Sequence, residues 1–172
     1  GAGRLDEADE NHVYVYPDSL VKCLNSKTHF AWSVTQPEYG LDVALSALET
    51  YQPETRPEAR LCRHAISDFE TYDLLLAFYP TSGGCEICGY QCNRGKKIDL
   101  QEPASAGVRS ILVGGKAAQK PKKDSNTAKA GWIVLTRGEC QRLMGPTLGA
   151  SLDFEDALPE GDSGKVDDAD AD

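Results

Sequence analysis

Cys85, Cys88 and Cys92 place three thiols within eight residues, inside the glycine-rich run Ser82–Gly95. Ordinary packing seldom demands that spacing, so it points to covalent cross-links or to a bound metal. The other three of the six cysteines, Cys23, Cys62 and Cys140, stand apart. Zinc needs four ligands in a tetrahedron, commonly supplied as two close pairs. Cys85 and Cys88 have the spacing of one pair, and Cys92 offers a third ligand. A second C-x-x-C is missing, as is a His-x3-His pair, so Cys62 or Cys140 would have to complete the set. Cys62 and His64 fall about 200° apart around the helix predicted there and point away from each other. Disulfides require only an even count. The triplet pairing with the scattered three would tie the loop across the fold, one of about fifteen possible connectivities. Each long-range bridge would add ~2–4 kcal/mol, largely by restricting the unfolded chain. A local Cys85–Cys88 bridge would look like a redox pair, but the usual strand–helix setting is not visible. All six cysteines are therefore expected in disulfides, which places the protein outside a reducing cytosol. Zinc on Cys85, Cys88 and Cys92 in a cytoplasmic protein is the alternative.

No other constellation carries chemistry. His12, His29 and His64 form no motif, and there is no nucleophile elbow, H-E-x-x-H or paired-carboxylate signature. No catalytic or cofactor-binding residue is assigned. Asp68, Glu70 and Asp73 read as a polar connection at an element boundary. Gly114-Gly115-Lys116 lacks the glycine spacing and the helix of a phosphate loop. Lys116, Lys120, Lys122, Lys123 and Lys129 offer a basic surface for nucleic acid or another polyanion. Without interleaved aromatics for base stacking, the stretch reads first as a solvated loop. Tyr14, Tyr16, Trp32 and Trp132 read as one aromatic face of a sheet. Such a face is either core or an exposed platform for a sugar or a protein.

The elements that must position these groups follow from periodicity. His12–Tyr16 alternates valine and tyrosine and is strand-like, ending at Pro17. Asp18 opens a short helical turn carrying Cys23. Phe30–Thr35 is a second strand, with Trp32 and Val34 on one side. Leu41–Tyr51 has the apolar stripe of a helix, Leu41, Ala44, Leu45, Leu48 and Tyr51, and Pro53 stops it. Thr55-Arg56-Pro57-Glu58 reads as a capping box, predicting a second helix to about Phe69 with Cys62 on its apolar stripe. Tyr72–Tyr79 is apolar on both faces apart from Asp73, as a central strand should be. The cysteine loop follows. Val108–Val113 and Trp132–Thr136 are further strands, joined by a long lysine-rich hairpin loop, and Glu139–Met144 is a short helix carrying Cys140. The order predicts an α+β fold: a mainly antiparallel sheet of about five strands, two helices on one face, and disulfide cross-links.

The 172 residues suffice for one domain with a genuine core. Residues 1–11 read as a flexible acidic lead-in (Gly1-Ala2-Gly3 as a tag remnant), 12–148 as the domain, and 149–172 as an acidic disordered tail. The net charge of −9 is unevenly spread: residues 153–172 hold nine acids and one base, whereas residues 94–129 hold nine bases and three acids. No apolar run is long enough to span a bilayer. The expected function is a secreted, disulfide-stabilised, non-enzymatic protein, effector-like, that binds a host or partner macromolecule. An intracellular zinc-stabilised interaction domain is the second reading. A small hydrolase whose site assembles only in the fold is the third.

Overall fold

The structure, a computed structural model, describes residues 15–93, 105, 107–114, 124, 131–136, 138–140 and 142. The acidic lead-in, the acidic tail and the five lysines of the polyanion reading lie outside the described residues. So does most of the strand expected over His12–Tyr16; Val15 and Tyr16 themselves are not in a strand.

The elements run α1 (Asp18–Ser26), β1 (Ala31–Thr35), α2 (Leu41–Thr50), β2 (Glu58–Cys62), β3 (Leu74–Tyr79), β4 (Glu86–Asn93), β5 (Val108–Gly114) and β6 (Ile133–Leu135), with residues 138–140 and 142 helical after β6. The fold is α+β. Its single six-stranded sheet keeps chain order from β1 to β6. It is mixed rather than mainly antiparallel. β2, β3 and β4 pair antiparallel, whereas β1–β2, β4–β5 and β5–β6 pair parallel. Parallel neighbours need a crossover connection. For the first pair that connection is α2, and β1–α2–β2 forms a strand–helix–strand unit.

That unit was obscured in the sequence because β2 was expected to be helical. Glu58–Cys62 lies between β1 and β3, where its backbone is paired on both sides. The pairing of both neighbours overrides a local capping signal. The cysteine loop is likewise a strand, β4, and its register with β3 runs from Leu74 opposite Tyr90 to Phe78 opposite Glu86.

The two helices cover opposite faces, not one. Ala44 and Leu48 of α2 pack on Cys62, Leu75, Ala77 and Tyr79. Leu20 of α1 packs on Ala59, Leu76 and Phe78, the alternate residues of the same strands. Beside it on the α1 face, Val15, Cys88, Ile111, Leu135 and Cys140 form a second cluster. α1 has no side-chain cap of its own. Glu86 of β4 supplies one across the fold: its carboxylate accepts from the Ser19 amide at 3.0 Å and from the Ser19 hydroxyl. Arg109 of β5 adds a clamp, donating to the Tyr16 carbonyl at 2.8 Å and to both Asp18 carboxylate oxygens at 3.0 and 3.3 Å.

On the α2 face the centre of the sheet depends on Gly89. A Cβ there would lie 2.5 Å from two ring carbons of Tyr72. Tyr72 is wholly buried and cannot swing aside, because its hydroxyl is 2.5 Å from Ser110 Oγ and accepts from the Ser105 amide at 3.1 Å. Among the described residues no helix is long and apolar enough to cross a membrane.

Candidate functional site

The pleat of β4 divides the cysteine triplet. Cys88 packs on the α1 face with Val15, Ile111 and Cys140, whereas Cys85 packs on the α2 face, where Cys62 also lies. Cys92 follows the parity of Cys88, and Cys23 lies on α1 itself, packed against the Leu20 cluster. The described residues include all six cysteines, and none forms a disulfide. The cross-links expected to reinforce the core are thus replaced by packing: Cys62 and Cys88 serve as small apolar side chains, each 1% exposed. Burial pushes the Cys88 thiol up to about 12, and those of Cys62, Cys85 and Cys140 up to about 11. Thiols so held stay protonated near neutrality, the opposite of what a nucleophile needs. Among the described residues no group of three or more His, Cys, Asp or Glu is placed to hold a metal ion.

The remaining polar clusters are closed on themselves. His64 Nδ1 accepts the main-chain amides of Ile66 at 3.3 Å and Ser67 at 3.0 Å, and its ring meets Phe69 edge-on. A ring nitrogen engaged by two amides in a turn is not poised to deprotonate the Ser67 hydroxyl, 3.4 Å away. Glu58, only 8% exposed, is the other carboxylate of interest. Its Oε2 accepts from Ser33 at 3.1 Å and its Oε1 from Tyr51 at 3.3 Å. Arg60 completes the group: it donates to Ser33 Oγ at 3.2 Å, lies 3.8 Å from Glu58 Oε2, and stacks 3.9 Å from the centre of the Tyr51 ring. Partial burial first, and the bond to Glu58 second, push the Tyr51 hydroxyl up. Both carboxylate oxygens are occupied. The cluster therefore ties β1, β2 and the end of α2 together.

One surface is not closed. β1 ends the sheet, and its burial alternates with its side chains. Trp32 and Val34 face the α1 side and are 57% and 63% exposed. Ser33 and Thr35 face the α2 side and are half-buried. The main chain alternates too. The Ala31 amide donates to Pro57 O at 3.1 Å, and Thr35 O accepts from the Arg63 amide at 3.1 Å, so the odd-numbered residues turn their main-chain groups toward β2. Trp32 and Val34 then turn theirs outward, where no described strand meets them. Phe30 packs 5.4 Å from the Trp32 ring and 5.7 Å from Phe78, bracing the exposed indole against the core. β1 holds no charge and no proline, the devices that usually protect a sheet edge.

Of the residues singled out from sequence, the structure brings Cys88 and Cys140 into one cluster and separates Cys85 from both. Trp32 and Trp132 lie on different faces: Trp132 is buried with the α2-side cluster, and Trp32 is exposed on the other side. Glu58 reads from sequence as the glutamate of a capping box and Arg60 as a helix residue, whereas both lie on strand β2. Compared with protein families, with characterised proteins and with solved structures, the chain matches none.

Proposed function

We propose that this protein is a non-catalytic recognition domain that binds a protein partner by accepting an extended segment along the β1 edge. A single observation carries the reading: on one uncharged edge strand, Trp32 and Val34 turn their main-chain hydrogen-bonding groups outward and leave their apolar side chains exposed on the α1 face. Strand addition uses that combination, with main-chain bonds for affinity and alternate side chains for selectivity. The closed state of the Glu58 and His64 clusters and the protonated, buried thiols favour binding over catalysis.

A displayed library of random linear peptides tests it. Selection on the wild-type chain should enrich extended sequences with apolar residues at every second position. Binding should be lost on Val34→Pro, which removes an outward N–H without removing a bond to β2. Enriched peptides that bind Val34→Pro and Val34→Lys as well as wild type would refute it.

A further inference from the structure

Val15, Tyr16 and Pro17 lie against the α1 face of the sheet without belonging to a helix or strand. Side chains of the sheet hold them there. The Tyr90 hydroxyl donates to Val15 O at 2.6 Å, and Arg109 donates to Tyr16 O at 2.8 Å. Val15 and Pro17 are buried, and Val15 packs in one cluster with Cys88, Ile111, Leu135 and Cys140. Two of the seated residues are each tied to a thiol. The Tyr90 hydroxyl that holds Val15 also hydrogen-bonds Cys88, and the Tyr16 hydroxyl lies close enough to Cys140 to couple with its charge.

We infer that residues 15–17 form a releasable strap, which lifts before the sheet unfolds and by lifting opens Cys88 and Cys140 to solvent together. Lifting breaks two side-chain bonds and exposes Val15 and Pro17, but it breaks no strand pair, since the ladder from β1 to β6 does not include these residues. α1 keeps its own ties, Ser19 to Glu86 and Asp18 to Arg109. Cys62 is the contrast. It is as buried as Cys88 but lies on the other face, under α2. The two ends of α2 run into β1 and β2, and the Tyr79 hydroxyl bonds its Leu48 carbonyl, so that cover cannot lift alone. Openings that break few buried contacts are the cheapest available to a native chain. The two α1-side thiols are thus closed to soft electrophiles while residues 15–17 are seated. They become reactive when the strap lifts and water reaches them.

Alkylation of the full chain with iodoacetamide, at urea concentrations below the unfolding midpoint, tests the strap. The thiolate forms an S–C bond as iodide leaves, and the thiol proton passes to buffer. Each rate is divided by the rate of the same thiol in the unfolded chain. Cys88 and Cys140 should label in parallel, at least ~10-fold faster than Cys62 and with a shallower urea dependence, because lifting exposes less surface than unfolding. Tyr90→Phe strips the donor from Val15 O and keeps the ring. It should raise both rates at least ~5-fold relative to Cys62. Tyr90 also touches Cys88, so Cys140 is the decisive reading in that variant. Val15→Ala, which leaves Tyr90 in place, should shift both thiols in the same direction. Equal rates and one urea slope for all three thiols would overturn the strap, since global unfolding alone would then expose them. Cys140 labelling while Cys88 stays as slow as Cys62, or variants that speed all three thiols alike, would overturn it too.

Discussion

Cys85 and Cys88 are three residues apart and lie on opposite faces of the sheet, Cys85 against the α2-side cluster and Cys88 against the α1-side cluster. A period of two along β4 sends an odd-numbered offset across the sheet. The consequence is a graded set of thiols. Cys92 is exposed, whereas Cys62, Cys88 and Cys140 are buried. Alkylation of native protein near pH 7.5 should label Cys92 first and leave the buried three until denaturant is added. Peptide mass spectrometry of the labelled chain checks this. Labelling of Cys88 as fast as Cys92, or resistance relieved only by reductant, would contradict the placement.

The same burial sets an alkaline limit. In the folded chain the Cys62 and Cys140 thiols lie at about 11 and Cys88 at about 12, raised from 9.0. The unfolded chain therefore releases these protons first as pH rises. Stability from this source is complete below about pH 9 and declines between pH 9 and 11–12, by roughly 1 kcal/mol per pH unit for each thiol. Urea midpoints measured from pH 7 to 11 should be flat and then fall. Cys88→Ala should soften the fall while lowering the neutral-pH value. A midpoint rising above pH 9 would contradict the account.

Gly89→Ala should destabilise the fold by about 1–3 kcal/mol, because the new methyl meets the buried Tyr72 ring rather than open space. Tyr72→Phe, which strips a buried hydroxyl from Ser110 and the Ser105 amide, should cost about 1–3 kcal/mol. Chemical denaturation reads both. A Gly89→Ala variant as stable as wild type would mean that the ring has room the structure does not give it.

The clamp on α1 gives an acid-side expectation. Glu86→Gln or Glu86→Ala should cost about 0.5–2 kcal/mol, the range of a lost helix cap. The bond to Arg109, reinforced by its charge, holds the Asp18 carboxyl below its ordinary range. Its contribution is present at neutral pH and lost as pH falls through that lowered value. Asp18 is largely exposed, so Asp18→Asn should change stability by only about 0–1 kcal/mol. Denaturation midpoints at pH 7 and pH 3 separate the two: the Asp18→Asn difference should shrink at pH 3.

Elements whose own period decides their structure were legible in the sequence. Leu41–Thr50 carries a helical stripe and Leu74–Tyr79 an apolar run, and both form the expected elements. Glu58–Cys62 and Glu86–Asn93 were not legible, because their conformation is set by neighbours far along the chain. Glu58–Cys62 follows a proline and reads as a helix start, yet is held between β1 and β3. Gly89 suggests a loop until Tyr72 is seen to occupy the space of its missing side chain. The candidate site was half legible. That Trp32 and Val34 share a side of a strand follows from alternation. That this strand is the sheet's edge depends on the strand order, which no local pattern encodes. The expectation of cross-links failed for a related reason: cysteine spacing along a chain does not say which face of a sheet each thiol will occupy.

The β1 edge is tested most directly by residue-resolved amide exchange, at a concentration where the chain is monomeric. The Trp32 and Val34 amides should exchange rapidly in the isolated chain, while the Ser33 and Thr35 amides, turned toward β2, are protected. Saturation with a peptide selected from the linear library should slow Trp32 and Val34 at least ~10-fold and leave Ser33 and Thr35 unchanged. Trp32 and Val34 amides that stay fast while the peptide is bound, or protection confined to the α2 face, would contradict strand addition at β1.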